Sequence, residues 1–129
     1  MTLREIVYGR CVGHAGIAAL VGTRVYPDRL PEKVTYPAIS YVAPVSEDGS
    51  LYRTHDGAGG RKVSRVQFNC YAATGGGAAA LADQVRLAWD GWNDGCAVGY
   101  SFEANRIMTR ADAIDVYRVI VDAMVEHSV

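Results

Sequence analysis

Val63-Ser64-Arg65-Val66-Gln67-Phe68-Asn69-Cys70-Tyr71-Ala72 is the stretch that decides the fold class. Ser64, Val66, Phe68, Cys70 and Ala72 fall on one side of an extended chain, and Arg65, Gln67 and Asn69 fall on the other. Side chains alternate across a strand, so a period of two predicts one face on a core and one polar face. A central strand of a parallel sheet is apolar on both faces. The stretch therefore reads as part of an antiparallel sheet.

Upstream lies the longest polar, glycine-rich run in the chain, residues 46–62. It is too long for a tight hairpin and is predicted to be a mobile excursion between two strands. The strand before it spans Ala38 to Val45. Ile39, Tyr41 and Ala43 share one face, Ser40 and Val42 take the other, and Pro44 signals an edge position or a bulge. Pro27, Pro31 and Pro37 punctuate an irregular connection that follows a short extended segment, Arg24-Val25-Tyr26. Further back, residues 2–12 read as an amphipathic helix, with Thr2 and Glu5 as a capping box. A short helical piece runs from Gly16 to Val21 and stops at Gly22.

Downstream, Gly75-Gly76-Gly77 separates the deciding strand from a helix over Ala78 to Asp90. The apolar stripe of that helix is Ala78, Leu81, Ala82, Val85, Ala88 and Trp89. Val98 to Arg110 holds another strand, and Val116 to Val125 holds the last, with Tyr117, Val119, Val121, Ala123 and Val125 on one side. The expected fold is α+β. It is a small single-domain sandwich over residues 1–129, with a mostly antiparallel sheet, two main helices on one face and a long hairpin loop.

Composition agrees with one folded domain. The 129 residues are 50% hydrophobic and 21% charged, which excludes a mostly disordered chain. Thirteen basic residues, eleven of them Arg, stand against fourteen acidic ones, so a general polyanion binder is not expected. Cys11, Cys70 and Cys96 lie far apart and read as reduced thiols of a cytoplasmic chain. No run approaches the ~20 apolar residues of a membrane span. Charges at Arg4 and Glu5 interrupt any signal-like apolar core, so the expectation is a soluble chain that is not exported by that route.

Each chemical motif has a plainer reading. Gly75 to Ala80 formally fits the G-x-G-x-x-A dinucleotide fingerprint, yet the half-polar strand before it and the short chain after it do not make a doubly wound sheet. Gly57 to Lys62 lacks the spacing of a phosphate loop. His14, His55 and His127 show no metal-ligand spacing; His14 is read in a first helical turn and His127 in a fraying tail. A nucleophilic Cys70 would sit on the apolar face of its strand, where thiols are inert packing. Asp112 with Asp115, and Glu47 with Asp48, read as solvated turn charges, and Trp89 with Trp92 as core packing. No catalytic residue, metal or cofactor is expected.

A set of short motifs carries a family resemblance. These are Gly16-Ile17-Ala18-Ala19-Leu20-Val21-Gly22-Thr23-Arg24-Val25-Tyr26-Pro27, then Arg29-Leu30-Pro31 and Tyr36-Pro37-Ala38-Ile39-Ser40-Tyr41. Arg65 to Ala72 and the alanine-rich helix follow. In this order and spacing they resemble the tail completion (tail terminator) proteins of long-tailed bacteriophages and gene transfer agents. The resemblance implies a non-enzymatic protein that forms a hexameric ring on the head-proximal end of the tail tube, stops tube polymerisation and offers a surface to the head connector. DNA passes through such a ring without being read. It implies a virion location after assembly in the host cytoplasm, and no membrane. Arg24, Tyr26 and Pro27 match the post-helix motif, Pro37, Ile39 and Tyr41 the first long strand, and Gln67, Cys70, Tyr71 and Ala72 the central strand; these shape the fold. The loop over 46–62 corresponds to an extended hairpin that orders on assembly, which places the subunit or tube contact on Tyr52, Arg53, His55, Arg61 and Lys62. The polar strand face of Arg65, Gln67 and Asn69 is a second expected contact. Two departures stand out: the glycines at 75–77 replace a polar helix start and imply a late helix, and His14 replaces an acidic cap and implies a weak one. The alternatives are another head–tail neck protein, such as a head-closure or connector adaptor, and a small nucleotide-binding protein using the Gly75–Gly77 turn.

Overall fold

The computed structural model describes residues 3–47, 61–93, 98–101, 108–110 and 116–128. Among these residues, three helices and seven strands follow one another as α1 (Leu3–Gly13), α2 (Ala15–Val21), β1 (Val25–Pro27), β2 (Ala38–Glu47), β3 (Arg61–Ala72), α3 (Gly75–Trp89), β4 (Trp92–Asn93), β5 (Val98–Ser101), β6 (Met108–Arg110) and β7 (Tyr117–Ser128). The sheet runs β1-β2-β3-β7-β5-β4, with β6 also on β7. Among the described residues β1 and β2 pair in parallel and all other pairs are antiparallel.

The deciding strand sits at the centre. β3 pairs along its whole length with β7, from Arg61 opposite Ser128 to Ala72 opposite Tyr117. Its register puts Val66 against Ala123, Phe68 against Val121 and Cys70 against Val119, and on its other flank Tyr41 against Phe68 and Ile39 against Cys70. The apolar face is therefore continuous across three strands. The helices cover it: Leu81, Val85 and Trp89 of α3 and Val7 and Cys11 of α1 are fully buried on it. Phe68 and Trp89 meet with ring centroids 5.7 Å apart, and Trp92 meets Trp89 edge-on at 5.2 Å. The six residues expected to form the apolar stripe of α3 are its buried residues.

Several expectations need correction. α3 begins at Gly75, not Ala78, because Thr74 caps it: the Gly77 amide donates to Thr74 Oγ1 at 3.0 Å. Gly77 suits that cap, since a Cβ there would lie 2.9 Å from Thr74 Oγ1. The three glycines are thus the first turn of a helix rather than a turn before it. His14 leaves α2 capped. The imidazole is its N-cap, with Nδ1 accepting from the Ile17 amide at 3.3 Å. His127 is no fraying tail. β7 runs past Val125, His127 pairs with Lys62 across the ladder, and the ring is buried with Nε2 2.8 Å from Ser64 Oγ. The strand expected over Val98 to Arg110 is two strands, β5 on residues 123–126 of β7 and β6 on 117–119. At Pro44 the β2–β3 register shifts between Val42 and Ser46, and β1 pairs only residues 39–41 of β2, so both readings of that proline find support. Thr2, the loop from Asp48 to Gly60, Cys96, Asp112 and Asp115 lie outside the described residues.

Candidate assembly surface

The opposite face of the same strands is where a functional surface has to be sought. On β2 it carries Ala38, Ser40 and Val42; on β3 Arg65, Gln67, Asn69 and Tyr71; on β7 Arg118, Ile120, Asp122, Met124 and Glu126. Alternation alone puts them there, because every neighbour in sequence points to the helices. Arg65 Nη2 donates to Asp122 Oδ2 at 2.7 Å. The partners are diagonal in the ladder, since Gln67 stands opposite Asp122 and Arg65 opposite Met124. The Asp122 side chain is 12% exposed and that of Arg65 42%. Three buried polar atoms on this face, Arg65 Nε, Arg118 Nε and Asp122 Oδ1, find no hydrogen-bond partner among the described residues. Asn69 is also buried, while Gln67 is half-buried.

The residues singled out by sequence fall into three groups. Arg65, Gln67 and Asn69 do share one face. Arg61 and Lys62 open β3, opposite Ser128 and His127. Tyr52, Arg53 and His55 lie outside the described residues. The motif residues converge on one corner of the sheet. Tyr26 and Pro27 of β1 stand opposite Ser40 and Tyr41, while Tyr71 and Cys70 stand opposite Ala38 and Ile39. Arg24 ties this corner together, donating from Nε to the Pro37 carbonyl at 3.0 Å and from Nη2 to the Leu20 carbonyl at 3.2 Å. The Tyr36–Pro37 peptide is cis. Beyond Pro27, Asp28 has φ +66° between a Pro27 carbonyl and an Arg29 amide hydrogen-bonded at 2.8 Å, a γ-turn. Arg4 of α1 holds the Asp28 carboxylate through both terminal nitrogens at 3.1 and 3.2 Å.

Sequence reasoning missed Asp122 as the partner of Arg65. The only signal was opposite charge on two alternating strands, and it becomes specific only once the register is known. Arg10 was missed as well. Its Nε donates to the Ala88 carbonyl at the end of α3, and its guanidinium lies 5.2 Å over Trp92.

The helical side offers no reactive group among the described residues. Burial pushes the Cys11 thiol up to about 12, against smaller opposing pulls from Trp89 and Arg10, so it stays protonated and unreactive. Cys70 is fully buried on the apolar face. The Ser64–His127 contact pairs a hydroxyl with an imidazole, but both are buried among core residues. No group of metal-ligating side chains gathers among the described residues. The glycine-rich fingerprint fails structurally too, because β3 is antiparallel to both neighbours and no parallel strand receives α3. No helix among the described residues is long and apolar enough to cross a membrane.

Among curated proteins none matches by sequence. A solved chain from the virion of a native gene transfer agent particle superimposes with a TM-score of 0.70, covering 96% of this chain and 92% of that one at 22% identity. That likeness establishes the fold. Residues 5–126 match the family model of tail completion protein gp17, so the chain belongs to the tail completion gp17 family, a family of structural phage-tail proteins and not of enzymes.

Proposed function

We propose that this chain is the subunit of a tail terminator: a homo-oligomeric ring, a hexamer, that caps the head-proximal end of the tail tube. The ring stops tube polymerisation and supplies the surface to which the head joins. The single observation that carries this reading is the tail completion family match over residues 5–126, which takes in elements from α1 to most of β7. Its partners are further copies of itself, the tail tube protein and a head connector or neck protein. DNA passes through the lumen without sequence-specific contact. Subunits assemble in the host cytoplasm and end in the virion.

The mechanism is steric and interfacial. Closed cyclic symmetry fixes the copy number, and one ring face matches the tube end. The segment over 46–62, with Tyr52, Arg53, His55, Arg61 and Lys62, makes the subunit or tube contact. Arg65, Gln67 and Asn69 make a second. The helix-free face of β2, β3 and β7 supports the second contact, because it offers paired and unpaired hydrogen-bonding groups on a sheet rigidified from its other side.

Light scattering coupled to size exclusion, over a wide concentration range and with and without purified tail tubes, tests the reading. Six 13.9 kDa chains give about 83 kDa. A discrete ring, or a monomer recruited to tube ends, is the expected result. A monomer indifferent to tubes overturns it.

A further inference from the structure

The N-cap of α2 is an imidazole in a role that side-chain oxygens usually fill. His14 has the extended backbone of an N-cap (φ −85°, ψ 120°). Its carbonyl accepts from the Ala18 amide at 2.9 Å, and its Nδ1 accepts from the Ile17 amide at 3.3 Å. Only a ring without a proton on Nδ1 can accept there, so the geometry assigns the tautomer that carries its proton on Nε2. We propose that His14 is an acid-sensitive cap: the neutral imidazole closes the first turn of α2, and protonation opens it.

Protonation does two things at once. It turns the Nδ1 acceptor into a donor aimed at another donor, and it puts positive charge at the positive end of a helix. The surroundings do not offset that charge. α2 has no acidic residue in its first turn. α1, which packs on it, brings Arg10, whose charge also disfavours His14 protonation. The other charges of α1 are placed elsewhere: Arg4 holds Asp28, and Glu5 is in the first turn, at the far end from His14. α3 brings the neutral Gln84 against Gly16, and its charges, Asp83 and Arg86, pair with each other at 3.4 Å. Burial first, and Arg10 second, hold His14 below the ordinary histidine value. The sign follows: the cap's contribution is full above the ordinary histidine range and is lost as pH falls through the lowered value of the folded protein.

The test is nuclear magnetic resonance on the whole chain. At about pH 7.5 the imidazole nitrogen shifts of His14 are expected to show an unprotonated Nδ1. Exchange of the Ile17 and Ala18 amides, each normalised to the unstructured-chain rate at the same pH, is expected to rise roughly tenfold between about pH 7 and pH 5. In His14→Asn, a good cap that does not titrate, the normalised rates stay flat. A proton found on Nδ1 at about pH 7.5, or coincident exchange profiles for the wild type and H14N, overturns the proposal. If H14N does not fold, the wild type alone decides: normalised exchange of the Ile17 and Ala18 amides that stays flat between about pH 7 and pH 5 overturns the proposal.

Discussion

β3 and β7 share one hydrogen-bonded ladder and carry two chemistries on its two sides. Toward the helices, Val66, Phe68, Cys70, Val119, Val121, Ala123 and Val125 are almost completely removed from water. Away from them, the Arg65–Asp122 bond and a strip of mixed side chains have no helix over them among the described residues. The covered side is held by non-directional burial, which tolerates no gap. The open side is held by a directional pair that leaves Arg65 Nε, Arg118 Nε and Asp122 Oδ1 with capacity to spare. The first side specifies the fold; the second mixes buried polar groups, Ser40, Asn69 and Asp122, with half-buried ones such as Gln67.

The contrast is sharpest at Phe68, which is fully buried and in ring contact with Trp89. Phe68→Ala is expected to cost about 3–5 kcal/mol, the transfer term plus the cavity left under α3. Denaturant unfolding of the isolated chain measures it. A cost below roughly 1 kcal/mol would mean that the covered side is not the stabilising one.

The helical layer itself is tested at Gly16. A Cβ there would lie 2.0 Å from Gln84 Oε1, closer than any contact allows. Gly16→Ala must displace the Gln84 side chain while gaining helix propensity, so a net cost of no more than about 1 kcal/mol is expected. Gln84 is the end of a flexible side chain, so the double variant Gly16→Ala with Gln84→Ala is expected to recover most of the loss. A double-mutant cycle that shows simple additivity would place the strain elsewhere.

These two sites show what the sequence made legible. The alternation in Val63 to Ala72 and the stripe from Ala78 to Trp89 both marked the covered side correctly, because burial imposes a period that survives in one dimension. Pairings between distant segments leave no such period. Asp122 as partner of Arg65, Arg10 on the Ala88 carbonyl and Gln84 over Gly16 depend on register and helix placement. The three glycines misled for a related reason. Propensity argues against them in a helix, but Thr74 supplies the cap and the tertiary position of α3 overrides the local cost. His14 and His127 misled because an imidazole caps or pairs only in a geometry that spacing does not reveal.

On the open side the expected effects shrink. Asp122→Asn keeps the shape but removes the charge that Arg65 faces. Because the Arg65 side chain is 42% exposed, water takes over much of the lost interaction, and a cost of roughly 1 kcal/mol is expected. Raising the salt concentration should shrink the difference between wild type and variant. A loss as large as that of Phe68→Ala would show that the open side is structural after all.

The smallest effect on stability is expected at Gln67, where the comparison becomes a test of function. Gln67 lies at the middle of the open side, opposite Val42 on β2 and Asp122 on β7, and no helix among the described residues rests on it. Tyrosine is favoured in strands, so Gln67→Tyr should leave the unfolding free energy within about 0.5 kcal/mol. The added ring stands off the sheet where a flat partner would have to approach. Light scattering should therefore show normal folded monomer and fewer closed assemblies or fewer tube ends occupied. Normal assembly with normal stability would remove the Arg65, Gln67 and Asn69 face from the contacts, and leave the segment over 46–62 to make them alone. Impaired folding would instead show that something covers this face within a single chain, and the distinction between the two sides would fail.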